Sequence, residues 1–223
     1  MGTRISVWAY AWDVADEGAA AALDWLQAAG FDAIDLGPNY HAISTFSPRN
    51  AKRSIFYSEQ GAVYYPARLE RFGRIKPHLF DDRAVLQAWP DVARALEGRD
   101  LELNAWIIGM FQPWIARAYP DTAIENAFGH RSYAQTCPAH PDVQTYLATL
   151  VGDLCDQFPV RGITLENVGH PGFAYGWVRE RVLIDLSPWT RFLLGLCFCE
   201  HCLAAARAHG VDAPRVRAGV AAE

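Results

Sequence analysis

Two groups of residues in this sequence have the types and spacing to do chemistry. The first centres on one carboxylate. In Arg161 to His170, RGITLENVGH, the side chains alternate, with Ile163 and Leu165 on one side and Thr164 and Glu166 on the other. No tight hairpin signal follows; Gly169 to Trp177 is rich in Gly, His and aromatics instead. A strand that ends this way opens its C-terminal edge onto a site. Glu166 is therefore expected to project into a pocket, with Ile163 and Leu165 packed against helices. A salt-bridged Glu closing an ordinary strand would read the same from these ten residues alone. The second group is Cys197, Cys199 and Cys202 in C-F-C-E-H-C. Thiolates at these intervals can converge on one ion, and a tetrahedral zinc site needs four ligands. The fourth could be Cys137, His140 or His201. Cys137 is preferred, because His201 lies between two ligands and would be strained. Four protein ligands leave no open position, so such a metal, Zn2+, is expected to be structural.

The elements that must position these groups follow from periodicity. Arg4 to Trp12 alternates, with Ile5, Val7 and Ala9 opposite Ser6, Trp8, Tyr10 and Trp12; the aromatic side is expected to face the pocket. A helix is expected from Asp16, acidic in its first turn, to Gly30. Phe31 to Gly37 is a second strand that places Asp35 on the pocket side. A buried structural Asp, bonded to backbone or Arg, is the competing reading of Asp35. Strand, helix, strand over about thirty residues is a βαβ unit with parallel pairing.

Residues 38–77 are a Pro-, Gly-, Ser- and aromatic-rich excursion over the pocket mouth. Asn39, Tyr40, His41, Arg49, Tyr64 and Tyr65 are its candidate ligand contacts, each also readable as loop packing. A helix from Asp81 to Leu96, broken near Pro90, leads to a strand from Leu101 to Ile108 with Asn104 and Trp106 on the pocket side. Residues 109–140 form a second irregular stretch. Pro141 to Phe158 is a helix buried along Val143, Leu147, Leu150, Val151 and Leu154, with Cys155 near that stripe as a buried thiol. The Glu166 strand follows it, and after Leu203 to His209, which reads as helix, no further strand is expected.

Four strands with helical crossovers, and long loops after their C-terminal ends, point to a (β/α)8 TIM barrel. Such barrels use about 250 residues for eight strands, and this chain has 223. It is expected to be a single partial TIM-barrel domain supplying about the first four βα units. An open α/β sheet is the alternative, but no Gly-rich phosphate fingerprint follows the first strand.

Bulk composition narrows the partners. The net charge is −5 with no basic run, which excludes a nucleic-acid partner. No apolar run reaches the length of a membrane span. No secretory signal is visible and the five cysteines are an odd number, so reduced thiols or metal ligands in the cytoplasm are expected. Trp and Tyr abound and suit both sugar stacking and buried interfaces. A half barrel would expose two sheet edges, which invite pairing with a second copy.

The order Cys137-Pro138, a P-x-V-x-x-Y helix start at Pro141, a strand carrying Glu166, then C-aromatic-C-x-x-C resembles the zinc-bearing barrel of the family 42 glycoside hydrolases, the β-galactosidases. The resemblance covers roughly Tyr133 to Leu203. It implies that Cys137, Cys197, Cys199 and Cys202 hold a zinc and that Glu166, at the end of the fourth strand, is the acid/base. That family has Asn before its acid/base Glu, whereas Asn167 follows Glu166 here. The loop HPGFAYGWVRERV differs too, bringing His170, Tyr175, Arg179 and Glu180. The chain is closer to uncharacterised bacterial TIM-barrel proteins related to glycoside hydrolases than to a true β-galactosidase. The family's nucleophile lies on a seventh strand, which this chain lacks.

The expected function is thus a glycoside hydrolase-like barrel acting on or binding a carbohydrate, with Trp8, Tyr10, Asp35, Asn39, Tyr40, His41, Asn104, Trp106, Asn167 and His170 as substrate contacts. The alternatives are a non-catalytic carbohydrate-binding barrel and a metal-dependent sugar isomerase or hydrolase. The last needs an open site such as Asp35, His41, Glu166 and His170 could build, yet no H-x-H or H-E-x-x-H spacing is present.

Overall fold

The computed structural model describes residues 4–58, 60–170, 172–173 and 185–222. Tyr175, Arg179 and Glu180 lie outside the described residues. The chain divides into two compact units, residues up to Ile108 with Tyr146–Glu166, and Gly109–Thr145 with Asn167 onward.

Strand β1 (Ser6–Tyr10) runs into helices α1 (Ala11–Glu17) and α2 (Ala19–Ala28). The helix begins at Ala11, five residues before Asp16, and Trp12 lies in its first turn instead of ending the strand. AWDVADE is a good helical run, and alternation cannot mark where a strand stops. Gly18, at φ 91°, then divides the helix in two, a left-handed conformation that glycine adopts without strain. Strand β2 (Ala33–Gly37) is buried throughout.

The excursion at 38–77 contains short strands. β3 (Asn39–Tyr40) later pairs with β6 (Ala62–Val63), and β4 (Ile43–Phe46) forms a hairpin with β5 (Ile55–Ser58). Asn50 organises the hairpin turn. Its Oδ1 accepts from the Lys52 and Arg53 amides, while its Nδ2 donates to Asp13 and Asp16. Tyr64 and Tyr65, expected at the pocket mouth, are buried core residues. Burial pushes the Tyr64 phenol up to about 12. Arg49 lies over the Trp25 ring and pairs with Glu17.

The next helix is interrupted at Gln87, giving α3 (Arg83–Leu86) and α4 (Ala88–Ala95), and Pro90 falls in the first turn of α4 where its missing N–H costs nothing. Strand β7 (Glu102–Ile108) completes the central part of the sheet. The chain then enters the second unit through α5 (Pro113–Ala118) and the antiparallel pair β8 (Ala123–Glu125) and β9 (Arg131–Thr136). Helix α6 (Pro141–Gln157) returns to the first unit, where β10 (Val160–Glu166) ends the sheet. Val143, Leu150 and Leu154 of α6 are buried as expected, but Cys155 is exposed. Cys155 lies one residue beyond Leu154, a rotation of about 100° that carries it off the stripe. The second unit ends with α7 (Pro188–Leu194), α8 (Glu200–Ala208) and α9 (Ala213–Ala222), packed around Ala127, Phe198 and Val220.

The main sheet has the order β1-β2-β7-β10 and every pairing in it is parallel. On one face Ile34, Leu36, Leu103, Ala105 and Ile107 are each at most 1% exposed. Leu165 shares that parity on β10 yet is 51% exposed. It was expected to pack against helices, but β10 is the last strand of the sheet and lacks a neighbour beyond it among the described residues. Among those residues no helix is long and apolar enough to cross a membrane.

Candidate functional site

The opposite face of the sheet assembles most of the residues singled out by sequence. Glu166 is the last residue of β10 and pairs in register with Ile108, the last of β7. Two residues back on β7, Trp106 Nε1 donates to Glu166 Oε2 at 2.8 Å. Trp106 is the hub of an aromatic cluster. Trp8 stacks on it at 4.8 Å and 9°, Tyr10 tilts against it at 5.6 Å, and Tyr40 meets it edge-on at 5.4 Å. Trp8 and Trp106 sit on strands with β2 between them. On β2, Gly37 puts no side chain against the Trp106 ring, from which a Cβ there would lie 3.6 Å.

His41 packs on Tyr40 at 4.4 Å, within electrostatic reach of Glu166. Burial holds its imidazole below the usual range, against the opposing pulls of the Ala42 carbonyl and the Glu166 carboxylate. Its Nδ1 lies 2.6 Å from that carbonyl, which places the proton of the neutral ring on Nδ1.

Asp35 is 4% exposed and is held by neutral donors from the three other strands of the sheet. Asn104 Nδ2 donates to Oδ1 at 2.7 Å, and the Ser6 and Thr164 hydroxyls donate to Oδ2 at 3.2 and 3.3 Å. Gly162 leaves room for Asn104, since a Cβ there would stand 2.7 Å from its side-chain oxygen. Asp35 and Asn104 thus form a polar layer tying four strands together. Asn39 is turned to the backbone: its Nδ2 donates to the Ile108 carbonyl and its Oδ1 accepts from the Ile108 amide. Asn167 and His170 belong to the second unit. Asn167 has φ 56° and its carbonyl accepts from the Met110 amide, while His170 is exposed.

In the second unit, the sulfurs of Cys137, Cys197, Cys199 and Cys202 all lie within 4.8 Å of one another. Cys137 Sγ is 3.4 Å from Cys202, 3.6 Å from Cys199 and 3.9 Å from Cys197. A tetrahedron with metal–sulfur bonds of about 2.3 Å has edges of about 3.8 Å, so the cluster has the right size to hold a metal ion. Its frame is backbone. The Cys137 amide donates to Thr122, Cys197 Sγ accepts from the Glu125 amide, and the Phe198 amide donates to Glu125. Cys199 caps α8, so its sulfur and that of Cys202 sit at a helix N-terminus, which favours thiolates. Thiol hydrogen bonds within the cluster pull Cys197 and Cys199 down and push Cys137 and Cys202 up. Four thiols cannot all ionise side by side, and a cation replaces the protons they would otherwise keep. His201 is not one of the four ligating side chains, and its ring meets His140 edge-on at 4.4 Å. Among the described residues this is the one group of three or more His, Cys, Asp or Glu placed to bind a metal.

Part of a glycoside hydrolase has this fold. Over 98% of its length the chain superposes on the α-L-fucosidase isoenzyme 2 from Paenibacillus thiaminolyticus, with a TM-score of 0.55 and 16% identity, and it spans 28% of that protein. At this identity the likeness concerns the fold alone. A hypothetical protein from Ruminiclostridium thermocellum ATCC 27405 aligns over 72% of this chain and 75% of its own, with a TM-score of 0.46 and 12% identity, too slight to argue from. No protein-family model and no curated protein matches the sequence.

Sequence parity placed Trp8, Tyr10, Asp35, Asn104, Trp106 and Glu166 on one face. It missed Ser6 and Thr164 as partners of Asp35. Their parity was visible, but the register that brings them to one carboxylate was not.

Proposed function

We propose that this chain contributes the acid/base side of a glycoside hydrolase-like (β/α)8 barrel that takes a carbohydrate, with Glu166 as the proton donor. The observation that carries the reading is the indole N–H of Trp106 at Glu166 Oε2, beside the clustered rings of Trp8, Tyr10 and Tyr40. The Trp106 indole takes up Oε2 and leaves Oε1 as the oxygen that a glycosidic oxygen would meet. The exposed ring of Trp8 offers a flat apolar surface for a sugar face. The fold shared with part of a fucosidase supports the same assignment. Retaining hydrolysis needs a second carboxyl about 5–5.5 Å from the first. Asp35 is a poor candidate, since both its oxygens are already held. The nucleophile is therefore expected from outside this chain.

We also infer that the four cysteines hold a structural Zn2+. Tetrahedral thiolate sites select zinc or iron, and four protein ligands leave no coordination position for substrate. That both Asp35 oxygens are held also gives weight to a second reading, in which the aromatic face binds sugar without turnover.

The test is titration of residues 1–223 with monosaccharides, L-fucose and D-galactose first, followed by tryptophan fluorescence. Quenching that saturates, and that Trp8→Ala weakens at least about tenfold, is expected; no response to any monosaccharide overturns the carbohydrate reading. With aryl glycosides the chain alone is expected to give no turnover. Turnover abolished by Glu166→Gln would show that both carboxyls lie within it. Sugar binding that survives Glu166→Gln, with no turnover by a complete barrel, selects the binding-only reading.

A further inference from the structure

The four sulfurs of the cluster are not equally sheltered. Cys137 is 0% and Cys199 4% exposed, whereas Cys197 and Cys202 are half-buried. An oxidant in solution therefore meets Cys197 and Cys202 first. These two differ in their partners. Cys197 Sγ accepts from the Glu125 amide at 3.4 Å, a bond that draws on the electron pair it would attack with. Cys202 has the nearer resolving sulfur. Cys137 Sγ lies 3.4 Å from it, against 3.9 Å from Cys197. A disulfide is about 2.05 Å long, so Cys137 and Cys202 need to close by about 1.4 Å, which small rotations of two side chains supply.

We propose that the cluster is a peroxide-sensitive site, in which oxidation bonds Cys202 to Cys137 and expels the ion that the four sulfurs hold. The inference rests on the structural zinc proposed above and adds what that site responds to. The Cys202 thiolate attacks one oxygen of hydrogen peroxide; the O–O bond breaks, leaving a sulfenic acid and hydroxide. The Cys137 thiolate then attacks the sulfenic sulfur, the S–O bond breaks, and a second hydroxide leaves. Two electrons pass from the sulfurs to the peroxide, and both hydroxides take up protons to become water. Cys197 and Cys199 are then two ligands where a tetrahedral site needs four. They give up the metal and take a proton each.

The exchange of one clamp for another is uneven. A Cys137–Cys202 bond ties the first turn of α8 to the residue after β9, much as the metal does. Cys197 and Cys199 are left without that tether. The stretch between α7 and α8 then keeps the Phe198 amide on the Glu125 carbonyl, the Glu125 amide on Cys197 and the small core around Phe198. Oxidation therefore keeps α8 fastened and loosens α7.

The experiment uses the 223-residue protein with Cys155→Ser, which takes the exposed thiol of α6 out of the count, loaded with zinc. Hydrogen peroxide is expected to release one zinc per chain, read with a colorimetric chelator, as two of the four cluster thiols disappear. A peptide map should show Cys137 joined to Cys202, and dithiothreitol with zinc should restore all four thiols and the bound metal. Three results overturn the inference while leaving the structural zinc standing: zinc retained in excess peroxide, release with any other cysteine pairing, and release through sulfinic acid that dithiothreitol does not reverse. A protein that takes up no zinc overturns both readings.

Hydrogen exchange gives a readout that does not depend on the metal assay. On oxidation the amides of α7 and of residues 196–199 should exchange at least about tenfold faster, and those of α8 no more than about twofold. Equal acceleration of α7 and α8 overturns the Cys137–Cys202 assignment.

Discussion

At the scale of single residues, the site depends on who satisfies each polar atom. Asp35 is held by three neutral donors from three strands. Asp35→Ala strips partners from Asn104 and Thr164, and urea unfolding should show a loss of about 2–3 kcal/mol. Asp35→Asn, which keeps acceptor capacity, should lose less. His41 gives a pH signature. Its folded pKa is depressed below the usual 6.5, with burial as the leading cause, so the unfolded chain takes up the proton first. Stability should be constant above about pH 6.5 and fall as pH drops toward the folded pKa. Unfolding free energies measured from about pH 7.5 to about pH 5 should slope less in His41→Phe than in the parent; parallel slopes would exclude His41 as the cause. The face occupied by Glu166, Trp106 and Trp8 was legible because strand parity is local. The pairing of Asn39 with the Ile108 backbone was not, because it joins residues 69 apart in sequence through a register that no local pattern encodes.

At the scale of elements, helix α6 is held to the distant 38–77 excursion by one buried charge. Asp153 has a fully buried side chain that accepts from Arg68 Nε at 2.6 Å, Arg71 Nη1 at 3.3 Å and Gln157 Nε2 at 2.9 Å. Removing one partner of a buried pair costs about 3–5 kcal/mol, and since both guanidiniums are more than a third exposed the lower value applies. Asp153→Ala should therefore lower stability by about 2–3 kcal/mol, read from the midpoint of denaturant unfolding. The main strands, and α6 almost to its last residue, could be read from periodicity. The β4–β5 hairpin could not, although ISTF and IFYS both alternate, because the eight residues between them lack a two-residue turn signal. Asn50 supplies the turn instead, through bonds to two distant aspartates. The break at Gly18 had a signal in the glycine itself, which the strong helical run on both sides hid.

At the scale of the whole molecule, one ion is proposed to organise the C-terminal helices of the second unit, which share only a small core. The apolar centre of α7, α8 and α9 rests on Ala127, Phe198 and Val220 with a few partly buried leucines. Such a small core needs a staple. Metal analysis of the purified protein is expected to give one zinc per chain, and a strong chelator or Cys137→Ser should lower the thermal midpoint as the metal is lost. A protein that unfolds identically with and without chelator would remove the metal's structural role. The four-cysteine set was readable from spacing plus one distant Cys-Pro, since sulfur at such intervals has few other uses.

Helix α6 has one more consequence. Of the five cysteines in the chain, four are gathered in the cluster and Cys155 alone is exposed. A maleimide dye should therefore attach at a single place on the intact protein and at five once the cluster is opened. Counting labels per molecule turns an incidental thiol into a gauge of how many copies in a preparation are properly assembled.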